Sequence, residues 1–215
     1  MKKAYIIVIL IIVGFLVAYY FAGSLIYNRN VVNGYAQISI NNADNEIHDI
    51  PSYARISNNT IVFTSSNINL VVYTMGHIRA ENLTGKFPPS YAHHDVFVIF
   101  GLINPTLVIP AGASIHVTVI NLDDNMFHNF VVTNVPPPYP YNVMMSNMGP
   151  GMMGSGTSGR FITMMPLLHY ANYSAGYAYE YGYSFTLNQE GTYWYICTYP
   201  GHAQMGMYGK IIVEG

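Results

Sequence analysis

The chain has 215 residues, a formal net charge of −2 at neutral pH, and charged side chains at only 8% of positions. This length allows one domain or at most two, and the lack of a basic stripe argues against a nucleic-acid partner. The single cysteine excludes an internal disulfide, so no covalent crosslink stabilises the fold.

The N-terminus carries an unbroken apolar run at residues 4–22, directly after Lys2 and Lys3. A run of this length predicts a single transmembrane helix within residues 1–27, with the lysines in the cytoplasm. We therefore expect a single-pass protein of the cell membrane whose C-terminal domain is extracytoplasmic. A cleaved signal peptide ending near Ala22 is the alternative, but the run is longer than a usual signal core.

Residues 28–59 are rich in asparagine and predict a polar linker with one possible extra strand at 35–40. From residue 60 to 215, short β-branched and aromatic segments alternate with Gly, Pro and Asn, which predicts a single all-β domain, a sandwich or a barrel. The predicted strands cover residues 61–64, 68–73, 96–100, 107–109, 115–120, 130–132, 183–187, 192–197 and 210–213.

The C-terminal segment places Cys197, His202 and Met207 at steady five-residue intervals. A thiolate, an imidazole and a thioether are the donors of a blue-copper site, in which the thioether is a weak axial ligand. Met205 lies on the same loop and competes for the axial position. Met207 fits better because it directly precedes the last predicted strand. Zinc is the rival metal, but it gains little from a thioether.

A second imidazole is needed to complete this ligand set. His128 fits best, since it lies in a short turn that leads into an apolar, β-prone segment. Other histidines stay possible. His116 is the nearest alternative, although it reads as a polar side chain on an alternating strand. No His-x-His pairs or His-Cys-His tripeptide occur, so the sequence does not support a multicopper oxidase.

Several motifs together resemble the rusticyanin and sulfocyanin family, the cupredoxins of acidophile respiratory chains. The similar segments are residues 104–121 (NPTLVIPAGASIHVTVIN), the His128-x-Phe130 step, Pro137-Pro138-Tyr139, residues 191–197 (GTYWYIC) and residues 200–211 (PGHAQMGMYGKI). The resemblance implies a cupredoxin Greek-key β-sandwich or barrel at residues 60–215. It also implies one type 1 copper per chain, with ligands at His128, Cys197, His202 and Met207.

The same resemblance implies a function. It predicts a carrier of single electrons in an extracytoplasmic respiratory chain, without enzyme activity, whose partners are redox proteins such as a terminal oxidase complex or a cytochrome. It further implies that the ring edge of His202 reaches the surface, where electrons would leave. One position departs from the family, because Asn129 stands where rusticyanin has serine. An asparagine there can tie the two ligand-bearing segments together.

The surroundings of the ligands predict a high reduction potential. Five aromatic side chains lie near the ligands in sequence and would keep water away, which penalises the more highly charged Cu(II); they are Phe127, Phe130, Trp194, Tyr195 and Tyr208. The sparse charge also suits an acidic setting, because few paired carboxylates exist to be protonated.

A methionine-rich loop between residues 144 and 165 leaves an alternative function open. It holds seven of the twelve methionines: Met144, Met145, Met148, Met152, Met153, Met164 and Met165. Thioethers bind Cu(I), so the chain could instead store or transfer copper through this loop. An adaptable apolar docking surface is the interpretation we favour. A copper enzyme is disfavoured, because four filled ligand positions leave no open one.

Overall fold

The structure is a computed structural model that describes residues 32–145 and 160–215. Twelve strands and two short helices occur in this part of the chain. The strands are β1 Gly34–Ser39, β2 Ala54–Ser57, β3 Thr60–Phe63, β4 Asn67–Gly76, β5 Asp95–Ile99, β6 Leu102–Ile103, β7 Thr106–Pro110, β8 Ser114–Asn121, β9 Val131–Thr133, β10 Tyr177–Thr186, β11 Gly191–Ile196 and β12 Tyr208–Glu214, and the helices are α1 Ile40–Glu46 and α2 His77–Thr84.

The strands form two six-stranded sheets. The first has the order β1-β10-β8-β4-β5-β6, and the second has the order β2-β3-β7-β12-β11-β9. Strands β4 and β8 pair in parallel in the first sheet, and β7 pairs in parallel with both β3 and β12 in the second. The sequence predicted an all-β domain, a sandwich or a barrel, and the structure confirms a mostly β fold of two sheets.

One apolar core lies between the two sheets. Leu70 and Val117 contribute to it from the first sheet, and Leu107 and Ile211 contribute from the second. Alternate residues of each strand point inward, since side chains of a strand alternate between its faces. At the C-terminal end of β11 this core also contains Cys197, so the fold delivers the cysteine into a dry environment.

Strand β5 is buried along its whole length because both of its faces are covered. Phe97 and Ile99 face the core between the sheets. Val96 and Val98 face a second cluster, to which α1 contributes Ile40 and Ala43 and α2 contributes Ala80. The two helices thus cover the outer face of the first sheet.

Four elements were not predicted from the sequence: the two helices and the short strands β2 and β6. Helix α1 has the sequence INNADNE, and its asparagine and aspartate residues favour turns when judged alone. The burial of Ile40 and Ala43 against the sheet stabilises the helix despite this low propensity. Strand β10 is also longer than predicted, since it begins at Tyr177.

The N-terminal predictions fall largely on residues that the structure does not describe. The apolar run at residues 4–22 lies outside the described residues. Within residues 32–145 and 160–215, no helix is long and apolar enough to cross a membrane. The segment predicted as a linker supplies β1, which pairs with β10, and β2, which pairs with β3. The proposed boundaries after residues 27 and 59 stay predictions.

Candidate metal centre

The loop at residues 197–207 is folded by its own backbone hydrogen bonds. The N–H of Met207 donates to the carbonyl of His202 at 2.9 Å, and the N–H of Cys197 donates to the carbonyl of Met207 at 3.2 Å. The N–H of His202 donates to the carbonyl of Tyr199 at 3.1 Å. The main chain therefore links all three predicted ligands of this loop to one another.

Burial separates the two methionines that compete for the axial position. Met207 is fully buried in the core that also contains Cys197, whereas Met205 is partly exposed at a turn of the loop. Met207 also forms the backbone bonds to Cys197 and His202, and Met205 bonds to Gly201 instead. The structure thus favours Met207 for the axial role.

Three donor atoms converge in the buried space beneath this loop. The Sγ of Cys197 lies 3.8 Å from Nδ1 of His128 and 3.6 Å from Nδ1 of His202, and the two Nδ1 atoms are 3.1 Å apart. All three residues are at most 2% exposed. They form a tight group of possible metal ligands.

This triangle has the size that a metal ion requires. A point equidistant from the three donor atoms lies about 2.0 Å from each of them. Bonds from a divalent metal ion have similar lengths; for zinc they are about 2.0–2.1 Å to imidazole and about 2.3 Å to thiolate. Two imidazoles and one thiolate, together with the thioether of the buried Met207 in the same loop, are the donor types that suit copper.

His128 is positioned by a segment far along the chain. Its N–H donates to the carbonyl of Leu168 at 3.3 Å, and the N–H of Leu168 donates back at 2.7 Å. Two residues later, the N–H of Phe130 donates to the sulfur of Met165 at 3.3 Å. Residues 163–168 therefore run beside the His128 segment and fix its backbone.

Asn129 ties the two ligand-bearing segments together. Its Oδ1 accepts a hydrogen bond from the N–H of Thr198 at 2.8 Å, and its Nδ2 donates to the hydroxyl oxygen of Thr198 at 2.8 Å. Thr198 directly follows Cys197, so these buried bonds hold the cysteine against the His128 segment. The tie expected from the sequence is present.

His116, the alternative ligand, lies elsewhere. Its ring nitrogens make hydrogen-bond contacts with the hydroxyl of Ser184 at 2.9 Å and with the carbonyl of Val32 at 3.0 Å. Both partners belong to the edge region of the first sheet. His116 is therefore a hydrogen-bonded histidine of a strand and is not part of the cluster.

The prediction that the ring edge of His202 reaches the surface is wrong. His202 is only 2% exposed, and its Nε2 is buried. Tyr199 covers one side of the ring at a centroid distance of 4.6 Å, and Nε2 faces the Asp95 carboxylate at 3.5 Å. Two parts of the chain that are distant in sequence thus close the surface over this ligand.

Residues 91–95, the segment that carries Asp95, lie over the loop at residues 197–207 and are called the cover below. The N–H of His93 donates to the carbonyl of Met205 at 2.9 Å, and the rings of Tyr91 and Tyr208 stack at 4.6 Å. Gly206, at a φ of +101°, sits so close to Tyr91 that a Cβ would overlap the Tyr91 carbonyl oxygen. No motif at residues 91–95 predicted this cover, because its contacts join parts of the chain that are far apart in sequence.

The pKa values of the two histidines are shifted in opposite directions. Burial by itself lowers the pKa of His128, but the facing Asp123 carboxylate and the nearby Cys197 outweigh it and raise the pKa to about 9. Burial and the positive charge of His128 lower the pKa of His202 to about 3. A metal ion that binds both Nδ1 atoms needs these two nitrogens deprotonated, so metal binding opposes the raised pKa of His128 and is favoured by the lowered pKa of His202.

Comparison with known proteins decides the family. The sequence profile of the copper binding proteins of the plastocyanin/azurin family matches residues 103–214, which contain all four predicted ligands. The chain belongs to this cupredoxin family. The predicted copper cofactor is thereby confirmed, as is the prediction of an electron-transfer protein that is not an enzyme.

The relatives found by sequence are rusticyanins, which confirms the resemblance to that group of cupredoxins. The chain is 38% identical over 141 residues to rusticyanin of Acidithiobacillus ferrooxidans, an alignment that covers 64% of this chain and 76% of the relative. It is 34% identical over 163 residues to rusticyanin of Acidithiobacillus ferridurans, covering 74% of this chain and 70% of the relative.

Solved structures support the same fold. A structure of rusticyanin from Thiobacillus ferrooxidans superposes with a TM-score of 0.61 at 23% identity, covering 86% of this chain and all of that chain. A structure of reduced rusticyanin gives a TM-score of 0.60 at 23% identity, covering 84% and 99% of the two chains. Because this coverage extends beyond the family match, strands that precede residue 103 also belong to the shared fold.

Proposed function

We propose that this cupredoxin is a membrane-anchored carrier of single electrons in an extracytoplasmic respiratory chain. The residues that would hold copper are the predicted set, His128, Cys197, His202 and Met207, with the Met207 thioether as the weakest of the four donors. The observation that carries the proposal is the buried triangle of two Nδ1 atoms and one Sγ, whose size fits a single metal ion.

Copper, when bound in such a centre, supplies reversible exchange of one electron between Cu(II) and Cu(I). The protein has to hold the ligands in one arrangement that serves both oxidation states. The backbone bonds within residues 197–207 and the Asn129 bonds to Thr198 provide this rigidity. Little rearrangement is then needed when the electron arrives or leaves.

We also propose that the potential is high for a blue-copper protein, as the sequence predicts. The fully buried rings of Phe130 and Tyr195 stack at 5.0 Å in the core that contains Cys197 and Met207. Such an apolar environment disfavours the more highly charged Cu(II). Redox titration of the copper-loaded protein tests this point, and a potential below that of ordinary blue-copper proteins would contradict it.

The electron-carrier role is tested by stoichiometry. We expect the purified full chain in detergent to bind one copper tightly and to show one reversible one-electron transition, and to exchange electrons with a terminal oxidase complex or a cytochrome. The alternative role, storage or transfer of Cu(I), finds support in the exposure of Met144, Met145 and Met164. Uptake of several Cu(I) ions that are readily surrendered would favour that alternative.

The membrane anchor is tested by fractionation. We expect the full chain to stay in the membrane pellet after an alkaline wash. A variant with Leu10→Lys and Val13→Lys should lose this retention, because each charge at the centre of a span costs about 2.5–3.5 kcal/mol. A soluble wild-type protein that begins after residue 22 would instead indicate a cleaved signal peptide.

Acid adaptation is part of the same proposal. Charged residues make up only 8% of the chain, so few ion pairs can be lost when carboxylates are protonated. We expect the copper-loaded protein to stay folded at about pH 2, followed by circular dichroism. Cooperative unfolding at that pH under otherwise mild conditions would contradict an acidic working environment.

A further inference from the structure

Two carboxylates lie behind the imidazoles of the metal centre, on the side away from the cysteine. The Nε2 of His128 is 3.4 Å from Oδ2 of Asp123 and 4.0 Å from Oδ2 of Asp95. The Nε2 of His202 is 3.5 Å from the same Asp95 oxygen. Asp95 is 3% exposed and Asp123 is 6% exposed, so both carboxylates are nearly removed from solvent.

Each carboxylate is held by one oxygen and presents the other to the imidazoles. Oδ1 of Asp123 accepts hydrogen bonds from the N–H groups of Asn125 and Met126, both at 3.0 Å. Oδ1 of Asp95 lies 2.9 Å from the Nδ1 of His94. The bonds at Oδ1 are those of an ordinary turn or strand end. They do not explain why both Oδ2 atoms converge on the ligand rings.

The convergence has a consequence for the ligands. A metal-bound histidine that uses Nδ1 carries its remaining proton on Nε2, and this N–H needs an acceptor when it is buried. The Nε2 atoms of His128 and His202 are both buried, and neither has a partner at hydrogen-bond distance. The facing carboxylate oxygens are the acceptors within reach, and a small closure would bring them to the about 2.7–2.9 Å of a charge-assisted bond.

We propose that Asp95 and Asp123 are positioning residues that fix both imidazoles for copper and lower its reduction potential. A carboxylate that accepts the outer N–H of a metal-bound histidine raises the basicity of that ligand. When both carboxylates are ionised, their negative charges near the metal stabilise Cu(II) more than Cu(I). The potential is then set by a balance between these carboxylates and the dry apolar core, which acts in the opposite direction. This proposal rests on the ligand set proposed above.

The test replaces each carboxylate by its uncharged isostere and measures the potential at pH 7. Asp95→Asn and Asp123→Asn keep the side-chain size and a carbonyl acceptor but remove the charge. Asp124→Asn is the matched control, because this neighbouring carboxylate is exposed. We expect each of the first two changes to shift the equilibrium toward Cu(I) about tenfold, or about 59 mV for one electron.

The affinity for copper is a second readout, which a role in the stability of the fold alone would not change. Loss of the negative charge on the outer acceptor should weaken Cu(II) binding by about tenfold or more, while Asp124→Asn should leave it unchanged. If both variants keep the thiolate-to-copper absorption band and their potentials move no further than that of Asp124→Asn, the proposal is overturned and the electron-carrier function stands. If the wild-type chain forms no such band, the proposed function itself has failed.

A measurement on the wild type covers the case in which the variants do not fold. In the Cu(I) protein, proton NMR should show two slowly exchanging histidine N–H signals, shifted downfield by hydrogen bonds to carboxylates. Rapid exchange of both signals with solvent would contradict the proposal. So would a second divalent ion bound by the copper-loaded protein between Asp95 and Asp123, because it would take the place of these protons.

Discussion

The two segments that meet at the copper centre are held in different ways. Residues 197–207 supply three proposed ligands from one continuous stretch and are folded mainly by bonds within that stretch. The His128 segment supplies one ligand, and its backbone is held by residues 163–168, far along the chain. The turn before His128 is also fixed locally, because Asp123 accepts the N–H groups of Asn125 and Met126. The backbone of residues 128–132 itself depends on the distant segment.

We expect the largest loss of stability from a substitution at the point where residues 91–95 contact the loop at residues 197–207. Gly206→Ala combines a strained positive φ with an overlap against the Tyr91 carbonyl, and we expect a loss of about 4 kcal/mol in the free energy of unfolding. Gly112→Ala is the matched control, with a φ of +76° and no atom within 4 Å of the added Cβ. It should cost only about 1 kcal/mol. Equal losses in denaturant titrations would show that the cover does not constrain the loop.

The second largest effect is expected at Asn129, whose side chain joins the His128 segment to the loop at residues 197–207. Asn129→Ala removes three buried hydrogen bonds, two to Thr198 and one to the carbonyl of Met165, and leaves the N–H of Thr198 without its acceptor. We expect this change to cost about 3 kcal/mol. The copper spectrum should broaden as well, because Cys197 is no longer held against the His128 segment. Asn125→Ala, at an exposed neighbouring position, should change neither property. An unaltered spectrum in the Asn129 variant would mean that each segment is rigid by itself.

The His128 segment alone is tested through its distant support. The hydroxyl of Thr163 accepts the N–H of Val132 at 2.9 Å, and Thr163→Val leaves that buried N–H unpaired. We expect a loss of about 2 kcal/mol in stability. Native-state hydrogen exchange should show faster exchange at residues 128–132 than at residues 197–207. Uniform acceleration across both segments would show that they open as one unit.

The smallest stability effect is expected at Tyr91, which contacts Tyr208 at the edge of the segment at residues 91–95. The hydroxyl of Tyr91 donates to the carbonyl of Tyr208 at 3.3 Å, while the two rings stack. Tyr91→Phe removes the hydroxyl and keeps the stacking, so we expect a loss of about 0.5 kcal/mol and an unchanged potential. Thermal unfolding checks the first value. A clear shift in potential would show that this edge reaches the metal electrostatically.

The same contrast explains how far the sequence could predict this molecule. The loop ligands are spaced regularly, and their donor types suit only a few metals, so Cys197, His202 and Met207 could be recognised locally. Most strands could also be predicted, because β-branched and aromatic segments are separated by Gly, Pro and Asn. His128 needed the further argument that a turn leads into a strand.

What the sequence did not predict depends on contacts between distant residues. The carboxylates of Asp95 and Asp123 stand in unremarkable polar stretches, and only the pairing of strands brings them behind the imidazoles. The burial of His202 has partly the same origin, since Asp95 faces its Nε2, while Tyr199 of its own loop covers one side of the ring. Helix α1 depends on packing against the first sheet and has little propensity of its own. The membrane anchor and the domain boundaries stay predictions.

The central claim is a single blue-copper centre at His128, Cys197, His202 and Met207. Its most direct test is the optical and electron paramagnetic resonance spectrum of the Cu(II)-loaded full chain, recorded beside Cys197→Ser and Met207→Leu. We predict an intense thiolate-to-copper band near about 600 nm with a narrow copper hyperfine splitting, abolished by the first change and shifted by the second. A colourless protein, or a band that survives Cys197→Ser, would contradict this account.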